Sequence, residues 1–155
     1  MRALPVATLL GLFAALLGLT ATPAAADKPR LPPNPVYKAE CGSCHVAYPP
    51  KLLPPESWQE LMQRLGKHFG SDASLDANAS NEISRYLAVN AGRRDAPAGA
   101  EPRITETRWF SKEHDKEVPA ALWKSDAVRS AANCAACHTR AEDGDYSERT
   151  LRLPK

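Results

Sequence analysis

The chain is short of almost everything that a large hydrophobic core requires. Its 155 residues include three phenylalanines and two methionines, the isoleucines are Ile83 and Ile104, and much of the apolar count is alanine. A chain of this size buries a modest fraction of its surface and usually needs a staple of another kind. An excess of one charge is also missing. Twenty Lys and Arg stand against 18 Asp and Glu, and Arg2 alone supplies one unit of the formal +2. Without a concentrated basic face, nucleic acid is excluded as an expected partner. Beyond the N-terminal segment there is no long apolar run, so no membrane span is expected in the remainder. Fourteen prolines limit regular structure further. Something other than side chains is needed at the centre.

The N-terminal segment does have an apolar run. Arg2 precedes a stretch of Leu, Ala and Gly from Val6 to Leu19, followed by Thr20, Thr22, Pro23, Ala24, Ala25 and Ala26. Positive start, apolar core and small-residue exit mark a secretory signal peptide, expected to span 1–26 and to be cleaved after Ala26. The core is too short to cross a bilayer comfortably. A soluble, exported protein located in the periplasm is therefore expected.

All four cysteines fall into two copies of one pattern, Cys41-Gly42-Ser43-Cys44-His45 and Cys134-Ala135-Ala136-Cys137-His138. Both are C-x-x-C-H, the attachment motif of c-type haem. On a helical turn, cysteines three apart share a face and can each form a thioether with a haem vinyl group, and the following imidazole becomes the axial ligand. Two disulfides would leave the repeated histidine unexplained. Zinc pairs normally lie closer in sequence than Cys44 and Cys134. A thioredoxin-like dithiol would need a βαβ context that neither copy has. Two covalently bound haem c groups are the expected cofactors.

The remaining histidines are His68 and His114, two candidates for two open axial positions. His68 follows Trp58, Leu61, Met62 and Leu65 at helical spacing and is expected on their buried stripe, in a helix from Glu56 to Phe69 stopped by Gly70. His114 lies in a polar stretch behind Trp109 and Phe110 and, taken alone, would be a surface histidine. Sequence halves pair His45 with His68 and His138 with His114, although crossed pairing remains open. Met62 is expected as core packing rather than a ligand. With two imidazoles on each iron no site stays open for substrate, so an electron carrier is expected and no catalytic residue is assigned.

The coarse organisation is a haem domain at 27–92, a linker at 93–102 and a second haem domain at 103–155. The expected fold is mainly α, with two small haem-binding domains, short helices, long irregular loops and little or no β-sheet. A short helix should carry residues 41–45, and Ser80 should cap a helix through Asn90 with Ile83, Tyr86 and Leu87 buried. Ser125 or Asp126 should cap another running into residues 134–138. Trp109, Phe110, Leu122 and Trp123 are the bulk available to wall the second haem. Arg85, Arg93, Arg94 and Arg103 are expected to be solvated, and the tail from Arg140 to be irregular, with Tyr146 and Leu151 as docking residues.

The first half resembles a class I cytochrome c domain, departing from it in placing His68 where methionine is usual. The whole mature chain resembles the bacterial dihaem cytochrome c family, DHC. The likeness is carried by residues 41–45, Tyr48-Pro49-Pro50, Leu52-Leu53-Pro54, His68-Phe69-Gly70, Asp72-Ala73-Ser74-Leu75, Arg103-Ile104-Thr105, Trp109-Phe110, Glu113-His114 and residues 133–138. That resemblance implies a periplasmic carrier with two bis-histidine haems. It also implies a small oxygen-binding c-type cytochrome as redox partner and a membrane b-type cytochrome as possible donor. A small electron-transfer subunit of a periplasmic reductase is the nearest alternative. A haem enzyme with a displaceable distal histidine is another.

Overall fold

The computed structural model describes residues 32–94 and 101–154. The expected signal peptide and most of the expected linker lie outside the described residues. Within them the chain is mostly short helices and 3-10 turns, and isolated bridges are present without any β-sheet.

Three helices form the first half. α1 spans Pro35–Cys41, with proline at its first turn and the Asn34 side chain accepting from the Tyr37 amide at 2.7 Å. α2 spans Pro55–Gln63, again opened by proline, and α3 spans Ala77–Asn90. The cap of α3 is Asp76, whose carboxylate accepts from the amides of Asn78 and Ala79, and not the expected Ser80. The helix starts earlier because Asp76 sits in extended backbone with its acceptor already aimed at two orphan donors. Ile83, Tyr86 and Leu87 do form its buried face.

They pack with Tyr37, Leu53 and Trp58 into one cluster, edged by Leu61, Met62, Leu75 and Ile104. Ile83 is fully buried, and burial of such a side chain contributes about 1.5–3 kcal/mol. The Trp58 indole N–H, which would be costly to bury unpaired, donates to the Pro50 carbonyl at 2.7 Å. Gly92 closes this half. Its amide donates to the Leu53 carbonyl, and a side chain there would run into the Lys51 carbonyl oxygen.

The second half is leaner. α4 spans Arg108–His114 and α5 spans Ala120–Trp123. Thr107 caps α4. Its hydroxyl accepts from the Phe110 amide at 3.1 Å while donating to the Ile104 carbonyl at 2.7 Å. Short 3-10 turns at Cys134–Ala136, Ala141–Asp143 and Glu148–Thr150 complete it. Phe110, Val118, Val128, Cys137 and Ala141 are its buried apolar residues.

Three expected helices differ. Residues 42–45 lie beyond the end of α1, so only Cys41 of the first motif is helical. No helix leads into the second motif, since residues 126–133 are turns with Arg129 at φ 65°. The Ser125 hydroxyl donates back to the Leu122 carbonyl instead of capping forward.

The third is the helix expected to run to Phe69, which stops at Gln63 and continues as a 3-10 turn at Leu65–Lys67. There the Leu65 carbonyl is taken by the His68 and Ala73 amides, so it cannot continue an α-helical ladder. His68 and Ser71 then bracket a tight turn, closed by the Ser71 amide on the His68 carbonyl at 3.0 Å. Phe69 at φ 49° and Gly70 at φ 94° occupy its centre, the positive-φ pair of the primed turn.

Candidate functional site

Each C-x-x-C-H segment is met by one of the two spare histidines. The turn after α2 carries His68 to His45, and the ring centroids lie 6.3 Å apart. α4 ends on His114, whose ring lies 6.3 Å from that of His138. Bonds of about 2.0 Å from one metal to two imidazole nitrogens, with about 1.2 Å from nitrogen to ring centre, set two rings about 6.4 Å apart. Both pairs therefore have the spacing of two imidazoles on opposite sides of a single metal.

Hydrogen bonds orient one ring of each pair. His45 Nδ1 lies 2.8 Å from the Val46 carbonyl, and His114 Nδ1 lies 2.8 Å from the Phe110 carbonyl. A carbonyl oxygen only accepts, so Nδ1 carries the proton and Nε2 keeps its lone pair for a metal. Burial first, and then the nearby His45, hold His68 below the usual imidazole range, against an opposing pull from Glu101. Burial, with His114 beside it, does the same for His138. Neutral imidazoles are the form that ligates.

Aromatic rings hold the sites. Tyr48 stacks on His45 at 4.6 Å and 17°. Phe110 stacks on His114 at 4.1 Å, with Trp123 at 5.9 Å and Trp109 at 6.5 Å edge-on. His114 is thus walled in by the aromatics of α4 and α5 rather than lying on an open polar surface. Tyr146 lies 5.1 Å from His138, and the tail docks further through Leu151 bridging to His138 and the Arg152 amide donating to the Cys137 carbonyl. The buried Tyr146 hydroxyl and His138 Nδ1 have no hydrogen-bond partner among the described residues. Buried polar atoms are rarely left so, and the Tyr146 hydroxyl beside the second motif fits a site built around a group supplied from outside the chain.

The cysteines fit the same group. All four are free. Burial pushes the Cys41 thiol up to about 11, with Glu40 adding to it, and pushes Cys134 up to about 11 as well. Burial raises Cys137 too. Surroundings that disfavour a thiolate suit sulfurs destined for uncharged thioethers better than thiolate ligands of zinc.

Two of the arginines expected in solvent lie on aromatic faces. Arg94 stands 4.1 Å over Trp109, and Arg103 stands 4.0 Å over Phe69 while pairing with Glu101 and Glu106. Sequence reading missed these contacts because they join residues across the two halves or around a turn it had drawn as helix.

Comparison with known proteins gives one consistent answer. A family model described as dihaem cytochrome c matches residues 37–146. The crystal structure of DHC purified from Rhodobacter sphaeroides is 44% identical with a TM-score of 0.64, covering 73% of this chain and 96% of that one. The X-ray structure of the diheme cytochrome type c sb-DHC from Shewanella baltica OS155 is 38% identical with a TM-score of 0.69, covering 80% of this chain and 95% of that one. None of the curated proteins compared matches the chain.

Proposed function

The chain belongs to the dihaem cytochrome c family, and from that premise we propose that it is an exported periplasmic carrier holding each haem iron between two histidines. Family membership brings two haem c groups and electron transfer through them. In the proposed assignment Cys41 and Cys44 would hold the first haem through thioethers, and His45 and His68 would ligate its iron. Cys134 and Cys137 would hold the second, with His138 and His114. When bound, each iron supplies reversible one-electron chemistry at a potential that paired imidazoles keep low.

The chain's own residues hold, orient and enclose. Val46 and Phe110 carbonyls fix the tautomers of His45 and His114. Tyr48 and Phe110 restrict the rotation of those rings. Trp109, Trp123 and Tyr146 pack around the second pair. With two histidines offered to each iron from within the chain, no position would be left to bind a substrate, which supports a carrier rather than an enzyme. A small oxygen-binding c-type cytochrome as partner and a membrane b-type cytochrome as donor are carried by the family resemblance alone. The halves 27–92 and 103–155, joined by 93–102, are proposed as the two haem-binding domains.

The observation that carries this reading is the pair of 6.3 Å imidazole spacings, one at each attachment motif. Adding carbon monoxide to the reduced holoprotein tests it. The visible spectrum is expected to stay unchanged at both haems. A carbon monoxide adduct in the untreated protein would show an open or displaceable sixth position, as a haem enzyme requires.

A further inference from the structure

Tyr48 belongs to the first half by sequence but touches both sites. Its ring lies on the His45 imidazole, nearly parallel at 17°. Its hydroxyl donates to the Ala132 carbonyl at 2.6 Å, 84 residues further along and two before Cys134. Its own main chain is held from the other side, because the Tyr37 hydroxyl of α1 donates to the Tyr48 carbonyl at 2.5 Å. Tyr37 in turn packs on Tyr86 of α3, within the main cluster. One continuous path of packing and hydrogen bonds thus runs from the three-helix core through Tyr48 to the segment that bears the second pair of cysteines.

We propose that Tyr48 is a positioning residue for electron passage between the two haem sites, its ring setting the His45 imidazole plane and its hydroxyl fixing the second attachment segment against the first. The proposal rests on the reading of His45 and His138 as ligands of two different irons. An electron that leaves the site of His45 arrives at that of His138, so one iron is oxidised as the other is reduced, and no further reactant is involved. The second segment has no helix leading into it, and beside its local main-chain turns the Tyr48 hydroxyl ties its Ala132 carbonyl to the first half.

The test uses the complete holoprotein with Tyr48→Phe and Tyr48→Leu. Haem stoichiometry and low-spin spectra come first, and both variants are expected to keep two low-spin haems. If the unaltered protein lacks them, the ligation reading fails and the role of Tyr48 falls with it. The rate of internal electron redistribution is then followed after a reducing pulse delivers less than one electron per molecule. Tyr48→Phe keeps the ring and loses only the tether, so redistribution is expected to slow several-fold while the electron paramagnetic resonance g values of the first haem stay in place. Tyr48→Leu is expected to slow it further and to shift those g values. An unaltered redistribution rate in Tyr48→Phe overturns the proposal.

Discussion

Around residues 41–45 the chain builds a helix before the motif and two more behind it, with Ile83, Leu53 and Leu87 essentially out of solvent. Around residues 134–138 it builds 3-10 turns, a tail that folds back by a few main-chain hydrogen bonds, and a thinner apolar set in which Val128 is fully buried. The distal candidate arrives from downstream in the first region and from upstream in the second. In the first it opens a strained turn, and in the second it is the last residue of a capped helix. The same five-residue chemistry thus sits in two unlike supports. Covalent attachment explains how that is possible, since a thioether-bound haem needs much less packing to stay in place.

The largest expected effect separates the two distal histidines. His114→Ala should leave the second haem high-spin and able to bind carbon monoxide while the first keeps its low-spin spectrum. His68→Ala should do the reverse. The measurement is the visible and near-infrared spectrum of each holoprotein variant with and without carbon monoxide. Low-spin spectra at both haems in His114→Ala would break the assignment and leave the comparison of supports without its ligand.

The fold was legible wherever local chemistry and tertiary packing agreed. The apolar spacing of Ile83, Tyr86 and Leu87 identified the buried face of α3, and the expected helix start at Glu56 lies one residue from the observed start of α2 at Pro55. Reading failed where the chain leaves a periodic pattern in order to place a side chain. Leu65 and His68 fit the helical stripe of Leu61, yet the Ala73 amide captures the Leu65 carbonyl from outside that stripe. That bond comes from a residue no helical count could include. Four cysteines and four histidines identified the candidate site because attachment chemistry fixes spacing in sequence. The stacking of Tyr48 on His45 and of Phe110 on His114 was less legible, because an aromatic near a motif reads the same whether it packs on the imidazole or on the core.

A core substitution in each region should sharpen the difference in packing. Ile83→Ala is expected to destabilise the holoprotein by about 2–5 kcal/mol, because the cavity it leaves lies between α3 and the Tyr37–Trp58 cluster. Val128→Ala removes less volume from a region bounded by turns that can close on the gap, and about 1–2 kcal/mol is expected. Denaturant unfolding monitored by tryptophan fluorescence gives both values. Equal losses would mean that the second region is packed as rigidly as the first.

The smallest effect concerns backbone strain, and here the two regions are expected to differ in sign. Phe69 at φ 49° and Arg129 at φ 65° are the non-glycine residues with positive φ among those described, a conformation that costs an L-residue about 1–2 kcal/mol. Glycine relieves that cost but adds about 0.4–1 kcal/mol of freedom to the unfolded chain, so the net gain at a site without other contacts is roughly 0 to 1.5 kcal/mol. Arg129 approaches this case, since its side chain makes an exposed hydrogen bond to the Asp126 carbonyl at 3.1 Å, and Arg129→Gly should be neutral or slightly stabilising. Phe69 carries Arg103 on one face and lies 4.7 Å from the His68 ring, contacts that glycine deletes. Phe69→Gly should therefore destabilise, and it should also loosen His68, seen as a pH-independent rise in carbon monoxide binding at the first haem alone. If Phe69→Gly instead stabilises the protein as much as Arg129→Gly, the strained turn is not held in place by its aromatic contacts, and the first region owes the position of His68 to its backbone hydrogen bonds.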